Sequence, residues 1–283
     1  NTPVLRTSFE KNGSIRKVSL FMENKKKSRI KYLGMSVMGL VVFFGLWEIS
    51  VRWGWVSNRT LSPPSTIIQT FVYKLTNVNP DGSTLPQHFM QSLQLALSSF
   101  VVAVVIGVPL GWVMGYYKAA SFLLNPVFEI VRPIPPIAWI PIIILTMGIG
   151  MPAKMFIIFV AAFVPCVINS YLGIRLTDPV RINVAKTFGA SEWEIFTTVC
   201  IPSSMNMVFT GIRLSLNNSW TTLVAAEMLA ATRGLGYMIQ LGRTLIRPDI
   251  IIVGMFTIGI TGALLNNILA MFEKKVAPWR YRE

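Results

Sequence analysis

Six apolar runs, each long enough to cross a lipid bilayer, constrain this chain more than any other feature. A membrane-spanning helix needs about 20 predominantly apolar residues. The chain is 53% hydrophobic and only 13% charged, whereas a soluble domain carries about 25% charged residues. We therefore predict an all-α fold, a polytopic bundle of six transmembrane helices. The predicted spans are Tyr32 to about Val51, within Gln87–Tyr117, about Ile134–Gly150, about Met155–Ile174, from after Pro202 to about Ala226, and Ile250–Phe272.

Basic residues predict how these spans are oriented, because Lys and Arg are enriched in cytoplasmic segments. The first 31 residues form a basic tail, and we predict a membrane domain over residues 32–283. The tail, the loop after the fourth span and the chain's basic C-terminal end fall on one side, so both termini are expected in the cytoplasm. The net charge of +14 follows the ends of the apolar runs. That pattern indicates contact with a lipid bilayer and not with nucleic acid.

The loop from Asp178 to Pro202 is a polar interruption between apolar runs and has its own helix signals. Asp178 precedes Pro179, a pair that favours the start of a helix. Gly189 can take the left-handed conformation that ends a helix. Ser191 and Glu194 form the S-x-x-E pattern of a capping box. We predict two short helices separated at Gly189, the second ending before Pro202.

The aromatic residues of this loop leave two interpretations open. A solvated helical hairpin without a partner would leave Phe188, Trp193 and Phe196 facing water, which is unfavourable for large apolar side chains. Alternatively, these side chains form a surface that fills a groove on a soluble protein. We favour the second interpretation because it gives the aromatic residues a binding partner.

The loop resembles the cytoplasmic loop of bacterial ATP-binding-cassette (ABC) importer permeases. The family pattern is E-A-A, three residues, Gly, nine residues, then I-x-L-P. Aligned on Gly189, this chain has Asn183-Val184-Ala185 before the glycine and Val199-Cys200-Ile201-Pro202 after it. Asn183 stands where the family has Glu, and Val184 stands where it has the first Ala.

Other segments resemble the nitrate, sulfonate and taurine branch of these permeases, and the resemblance covers about His88–Trp279. They include a proline-rich stretch, an Ala-Glu-Met triplet and a Gly-Leu-Gly-Tyr turn. The segments are Val131–Pro141, Ala226-Glu227-Met228, Gly234-Leu235-Gly236-Tyr237 and Pro278-Trp279.

The resemblance implies a type I importer-like permease in a bacterial cytoplasmic membrane. It implies a homodimer, two cytoplasmic ABC ATPase subunits and an external solute-binding protein that delivers a small solute of the nitrate, sulfonate or taurine class. ATP and Mg²⁺ would be bound by the ATPase, because this chain contains no Gly-Lys-Ser or Gly-Lys-Thr of a phosphate-binding loop. Residues expected to couple to the ATPase are Val184, Ala185, Lys186, Thr187, Phe188, Gly189, Ala190, Ser191, Glu192 and Trp193.

Prolines and charges inside the apolar runs suggest a translocation pathway. The run from Pro133 to Pro141 cannot be a regular helix throughout, because each ring removes a hydrogen bond. Charged groups in a span are costly and either pair with each other, reach the interface or serve transport. Both the structural and the functional interpretation stay open here. The pathway candidates are Arg132, Pro135, Pro136, Trp139, Trp220, Glu227 and Met228.

Pairing and close packing are expected elsewhere in the spans. Glu48 with Arg52 and Glu129 with Arg132 have the spacing of ion pairs on one helix face. Gly107, Gly111 and Gly115 repeat every fourth residue, a pattern that lets two helices approach closely.

The sequence bears on two other classes of function, an enzyme and a secondary transporter. Cys166, Cys200 and the single His88 give no metal site, and no nucleophile–base set indicates an enzyme. A secondary transporter driven by an ion gradient is the alternative to an ATP-driven importer, but few acidic residues lie in the spans.

Overall fold

Helices are the only regular elements in Tyr32 and residues 34–277, which the computed structural model describes. The basic tail and Pro278-Trp279 lie outside these residues. A 3₁₀ turn over Pro136–Trp139 precedes α5, and a π-helical turn over Ile195–Cys200 joins α8 to α9. The helices are α1 Gly34–Arg52, α2 Pro64–Thr76, α3 Leu85–Tyr116, α4 Lys118–Val131, α5 Ile140–Met147, α6 Met151–Arg175, α7 Pro179–Thr187, α8 Glu192–Glu194, α9 Ile201–Ala230, α10 Leu235–Thr244 and α11 Pro248–Val276.

Among the residues that the structure describes, five helices are long and apolar enough to cross a membrane, and a bent pair makes a sixth candidate span. The prediction that Ile134–Gly150 forms the third span as a single helix was wrong. Here α4 and the segment Pro136–Met147 meet at an angle of 89°. The prediction that the proline run breaks the helix is confirmed. Pro133 and Pro135 have no N–H to continue it, and the eight residues of α5 reach only about 12 Å.

The N-terminal unit, residues 1–66, is described from Tyr32 onwards and contains α1. At the end of α1 the predicted pair of Glu48 and Arg52 is present, with Nε 2.6 Å from Oε1. Glu48 also accepts hydrogen bonds from the N–H and the hydroxyl of Ser65, at 3.0 and 2.8 Å. The carboxylate therefore fixes the residue at the start of α2 to the end of α1.

The second unit, residues 67–283, is built around α3, α6 and α9. The predicted glycine face of α3 lies against α6. A Cβ at Gly111 would lie 2.5 Å from the carbonyl oxygen of Val167, and one at Gly115 would lie 2.8 Å from Cβ of Ile174. Any side chain at these positions would force the helices apart, so the glycines determine their separation.

Polar side chains within the spans are paired between α9 and α11. Arg213 donates to Glu273 at 2.5 Å, and Asn266 donates to Asn217 at 2.7 Å. Of the interpretations left open for a charge in a span, Arg213 therefore shows pairing between helices. The indole N–H of Trp220 donates to the carbonyl of Ile258 at 3.0 Å.

Candidate functional site

The first helix of the 178–202 loop has a defined start and a defined end. Asp178 accepts a hydrogen bond from the N–H of Val180 at 2.9 Å, so the predicted cap is present. After α7 the chain turns at Gly189, whose φ is +83°. The N–H of Gly189 bonds to the carbonyl of Lys186 at 2.9 Å and that of Ala190 to Ala185 at 3.1 Å. This is the Schellman arrangement, which requires a left-handed residue where the sequence has glycine.

The second helix begins as predicted but does not end as predicted. Ser191 and Glu194 form the capping box: the N–H of Ser191 donates to Oε2 of Glu194 at 2.8 Å, and the N–H of Glu194 donates back to the hydroxyl at 3.3 Å. The helix was expected to end before Pro202, and this was wrong. It continues through the π-helical turn into α9 without a break.

The π-helical turn explains how a proline is tolerated at this position. In an α-helix the ring of Pro202 would collide with the carbonyl four residues earlier. Here the N–H of Ile201 bonds to the carbonyl of Phe196, five residues back. The wider turn moves the carbonyls before Pro202 out of α-helical register. The loop is consequently continuous with a long span.

Contacts with α3 attach the loop to the bundle. The hydroxyl of Tyr116, the last residue of α3, donates to the carboxylate of Glu192 at 2.6 Å. The ring of Phe196 lies 4.9 Å from that of Tyr116. Lys186 of α7 pairs with Glu192 at 3.0 Å and so joins the two halves of the loop. We call the end of the bundle where these contacts lie the loop end.

The loop exposes two large aromatic side chains among its polar residues. Phe188 is 87% exposed and Trp193 is 63% exposed, as expected of a docking surface. Phe196 was expected on the same surface, and this was wrong, because its side chain is buried with Ile195 and Cys200 against the end of α6. Phe196 thus anchors the loop to the bundle, whereas Phe188 and Trp193 face outwards.

The remaining candidate coupling residues lie around these two aromatic groups. Val184 is exposed on α7, whereas Ala185 and Ala190 pack against the buried cluster beneath the loop. Thr187 is exposed and donates its hydroxyl to the carbonyl of Asn183 at 2.9 Å.

The candidate pathway residues lie in three separate places. Arg132, Pro135, Pro136 and Trp139 lie at the break after α4, and Arg132 pairs with Glu129 at 3.2 Å, as predicted. Trp220 is buried against α11. Glu227 and Met228 lie near the end of α9, with Glu227 buried and Met228 partly buried. Their role in a pathway stays a prediction.

Glu227 is part of a buried polar network at the end of the bundle opposite the loop end. Both of its carboxylate oxygens lie 2.8 Å from the hydroxyl of Ser92, and it accepts the N–H of Gly236 at 2.9 Å. The N–H of Leu235 donates to the oxygen of Ser92 at 2.8 Å. The carboxylate therefore connects α9 to α3 and to the start of α10.

The network continues through residues that the sequence interpretation missed. The N–H of Gly234 donates to Nδ1 of His88 at 3.0 Å, and Nε2 of His88 lies 3.2 Å from Oδ2 of Asp81. Lys74 forms an ion pair with Asp81 and donates to the carbonyl of Ser83 at 2.7 Å. Burial alone would raise the pKa of Asp81, but hydrogen bonds from His88 and Lys74 lower it below the usual value.

The sequence contained one signal that His88 and Ser92 are buried. His88 and Ser92 stand four residues apart on α3 and continue towards the small residues Ala96, Ser99 and Ala103. All five are buried on one face of α3. A polar residue on the same helix face as a small-residue packing surface is therefore expected to have a partner inside the bundle.

Comparison with known proteins establishes the family. Residues 107–280 match the family described as the binding-protein-dependent transport system inner membrane component. The chain belongs to this family. A permease of this family is a membrane component of a transport system, and the five or six candidate spans agree with that.

Three transport permeases from bacteria match this permease over most of its length. The taurine transport system permease protein TauC of Escherichia coli is 33% identical over 87% of this chain and 89% of its own length. The nitrate import permease protein NrtB of Synechocystis is 31% identical over 85% of this chain and 88% of its own length. A putative aliphatic sulfonates transport permease, SsuC of Bacillus subtilis, is 29% identical over 96% and 97%.

A solved structure confirms the predicted fold. A chain of the MetNI methionine ABC transporter, in inward-facing conformations, aligns with a TM-score of 0.51 and 16% identity. The alignment covers 64% of this permease and 93% of that chain. The permease therefore has the helical fold of a type I importer.

Proposed function

We propose that this permease is the membrane-spanning subunit of an ATP-driven importer, and that the 178–202 loop receives motion from a separate ABC ATPase. In this proposal two copies of the permease form the pathway, and a solute-binding protein delivers the solute at the end opposite the loop. The solute is a small anion or organic solute of the taurine, sulfonate or nitrate class, which the names of the relatives support.

One observation carries the proposal: a capped, bundle-anchored loop exposes Phe188 and Trp193. Exposed aromatic residues on a rigid support are typical of interaction hot spots. The loop is continuous with α9, which spans the membrane and also contacts α6 and α11. A displacement of the docked loop is therefore transmitted along a helix into the bundle.

Charge distribution supports a cytoplasmic position for the loop end. Lys118, Arg181, Lys186 and Lys275 all lie at or near that end. Positive side chains of this kind mark the cytoplasmic side of a membrane protein, which is where an ATPase that consumes cellular ATP is found.

Co-purification tests the docking surface. The permease is co-expressed with its candidate ABC ATPase, and the amount of ATPase that purifies with it is measured. We expect the double variant Phe188→Ala/Trp193→Ala to lose most of the ATPase, because truncating a hot-spot aromatic residue costs about 2 kcal/mol or more, roughly thirtyfold in affinity.

Leu176→Ala is the matched control, since Leu176 is 70% exposed at the loop end but lies before the loop. It should retain the ATPase. Equal recovery from the double variant and the control would contradict the proposal. An ATPase-free permease with uptake driven by an ion gradient would instead support the secondary transporter.

A further inference from the structure

A groove with a volume of about 610 Å³ lies at the loop end, between α4 and the ends of α3 and α6. We call it the α4 groove. Its polar lining is formed by Lys118, Ser121, Asn125 and Glu129 of α4 and by Tyr171 and Arg175 of α6. The volume falls within the range of small-molecule sites, about 300–1,000 Å³.

The spacing of the polar residues gives the groove one positively charged end. Lys118, Ser121, Asn125 and Glu129 follow each other at intervals of three or four residues and so lie on one face of α4. Glu129 lies about 16 Å along the helix from Lys118. It pairs with Arg132 at 3.2 Å, so its charge is compensated at the far end of the groove.

Lys118 and Arg175 form the positively charged end of the groove. Within the part of the chain that the structure describes, neither side chain has an acidic partner. Tyr171 lies one helical turn before Arg175 on α6, and Ser121 lies one turn after Lys118 on α4. Their hydroxyl groups add neutral donors beside the two cations. A guanidinium, an ammonium and hydroxyl donors together match the oxygen atoms of a sulfonate, phosphate or nitrate.

The rest of the lining is apolar. Phe122 and Pro126 of α4 are exposed towards the groove, and Met114 of α3 closes its inner side. These side chains provide contact area for a hydrocarbon body and no further charge. The preferred ligand is therefore an anion with an organic part.

We propose that the α4 groove binds an organic oxyanion, with its charged head between Lys118 and Arg175 and its apolar part against Phe122 and Pro126. Two sources offer this chemistry: a transported organic anion that leaves at the loop end, and the headgroup of an anionic phospholipid. The choice of a transported anion as one source rests on the proposed function. Because Lys118 begins α4 and Arg175 ends α6, an occupant bridges these two helices.

The test uses the assembled transporter in nanodiscs with wild-type permease or with Lys118→Gln, Arg175→Gln or Lys275→Gln. Lys275 is the matched control, because it is an exposed lysine near the end of α11 outside the groove. Binding of radiolabelled butanesulfonate is measured in phosphatidylcholine discs. Retention of phosphatidylglycerol by detergent-purified complexes is measured by native mass spectrometry.

We expect the two groove variants to bind one of these probes about tenfold more weakly than the wild type, and the control to bind it normally. Loss of butanesulfonate binding assigns the site to a free anion, and loss of phosphatidylglycerol assigns it to a lipid headgroup. If both groove variants match Lys275→Gln for both probes, the site is refuted. Uptake and ATPase recovery are measured in the same preparations, so a failed site is distinguished from a failed function.

Discussion

At the scale of the residue, local signals in the loop were predictable because they depend on neighbours in sequence. Asp178, Gly189 and the Ser191–Glu194 capping box all take the predicted conformations. The burial of Phe196 was not predictable in this way. It depends on where α3 ends, since Tyr116 supplies the surface that covers the ring.

Glycines on α3 allow a prediction about packing. Gly111→Ala places a methyl group 2.5 Å from the carbonyl oxygen of Val167, so α3 and α6 must separate. We expect a loss of about 2 kcal/mol in stability, as for overpacked cores. The measurement is the thermal midpoint of the detergent-purified permease.

Gly259→Ala is the control, because a Cβ at this helical glycine meets nothing within 4 Å. Alanine also favours a helix, so its midpoint should equal or exceed that of the wild type. A midpoint for Gly111→Ala as high as that of Gly259→Ala would refute the packing argument.

At the scale of the element, the lengths of the apolar runs predicted where most spans lie. They did not predict whether a helix breaks or continues at a proline. Pro133 breaks a helix, whereas Pro202 lies within one. The difference is the π-helical turn before Pro202, which depends on the hydrogen bond from Ile201 to Phe196. The prolines that follow Pro133 predict the break there. Nothing in the local sequence predicts the π-helical turn before Pro202, because the packing of Phe196 under the loop is a tertiary effect.

The buried network joins α3, α9 and α10 through one carboxylate. In Glu227→Ala the hydroxyl of Ser92 and the N–H of Gly236 lose their acceptor. Each unpartnered buried group costs about 1–3 kcal/mol, so we expect a total loss of about 3 kcal/mol in the thermal stability of the purified permease. Glu227→Gln keeps one acceptor oxygen and should lose less.

Glu129→Ala is the control, since Glu129 is 53% exposed and an exposed ion pair contributes little. It should leave the thermal midpoint nearly unchanged. If the alanine variants at Glu227 and Glu129 lower the midpoint equally, the network does not hold these helices together.

At the scale of the whole molecule, we propose that the helical bundle is moved by a partner ATPase through the 178–202 loop. Composition and apolar runs predicted the membrane class, and the family resemblance supplied the type I fold that the comparison confirms. The partners within the polar network were beyond prediction, because Asp81 and Gly234 meet His88 only after the chain has folded.

Uptake by vesicles that contain the permease, its ATPase and its solute-binding protein tests the central claim most directly. Transport of radiolabelled taurine is measured with and without MgATP on the loop side, and with an ionophore. Gly189→Pro is compared with Gly189→Asn, because proline cannot adopt the φ of +83° whereas asparagine can. We predict uptake that requires MgATP, survives the ionophore and is lost in Gly189→Pro but kept in Gly189→Asn. Uptake that survives without ATP and collapses with the ionophore, or that is equal in the two variants, would contradict the account.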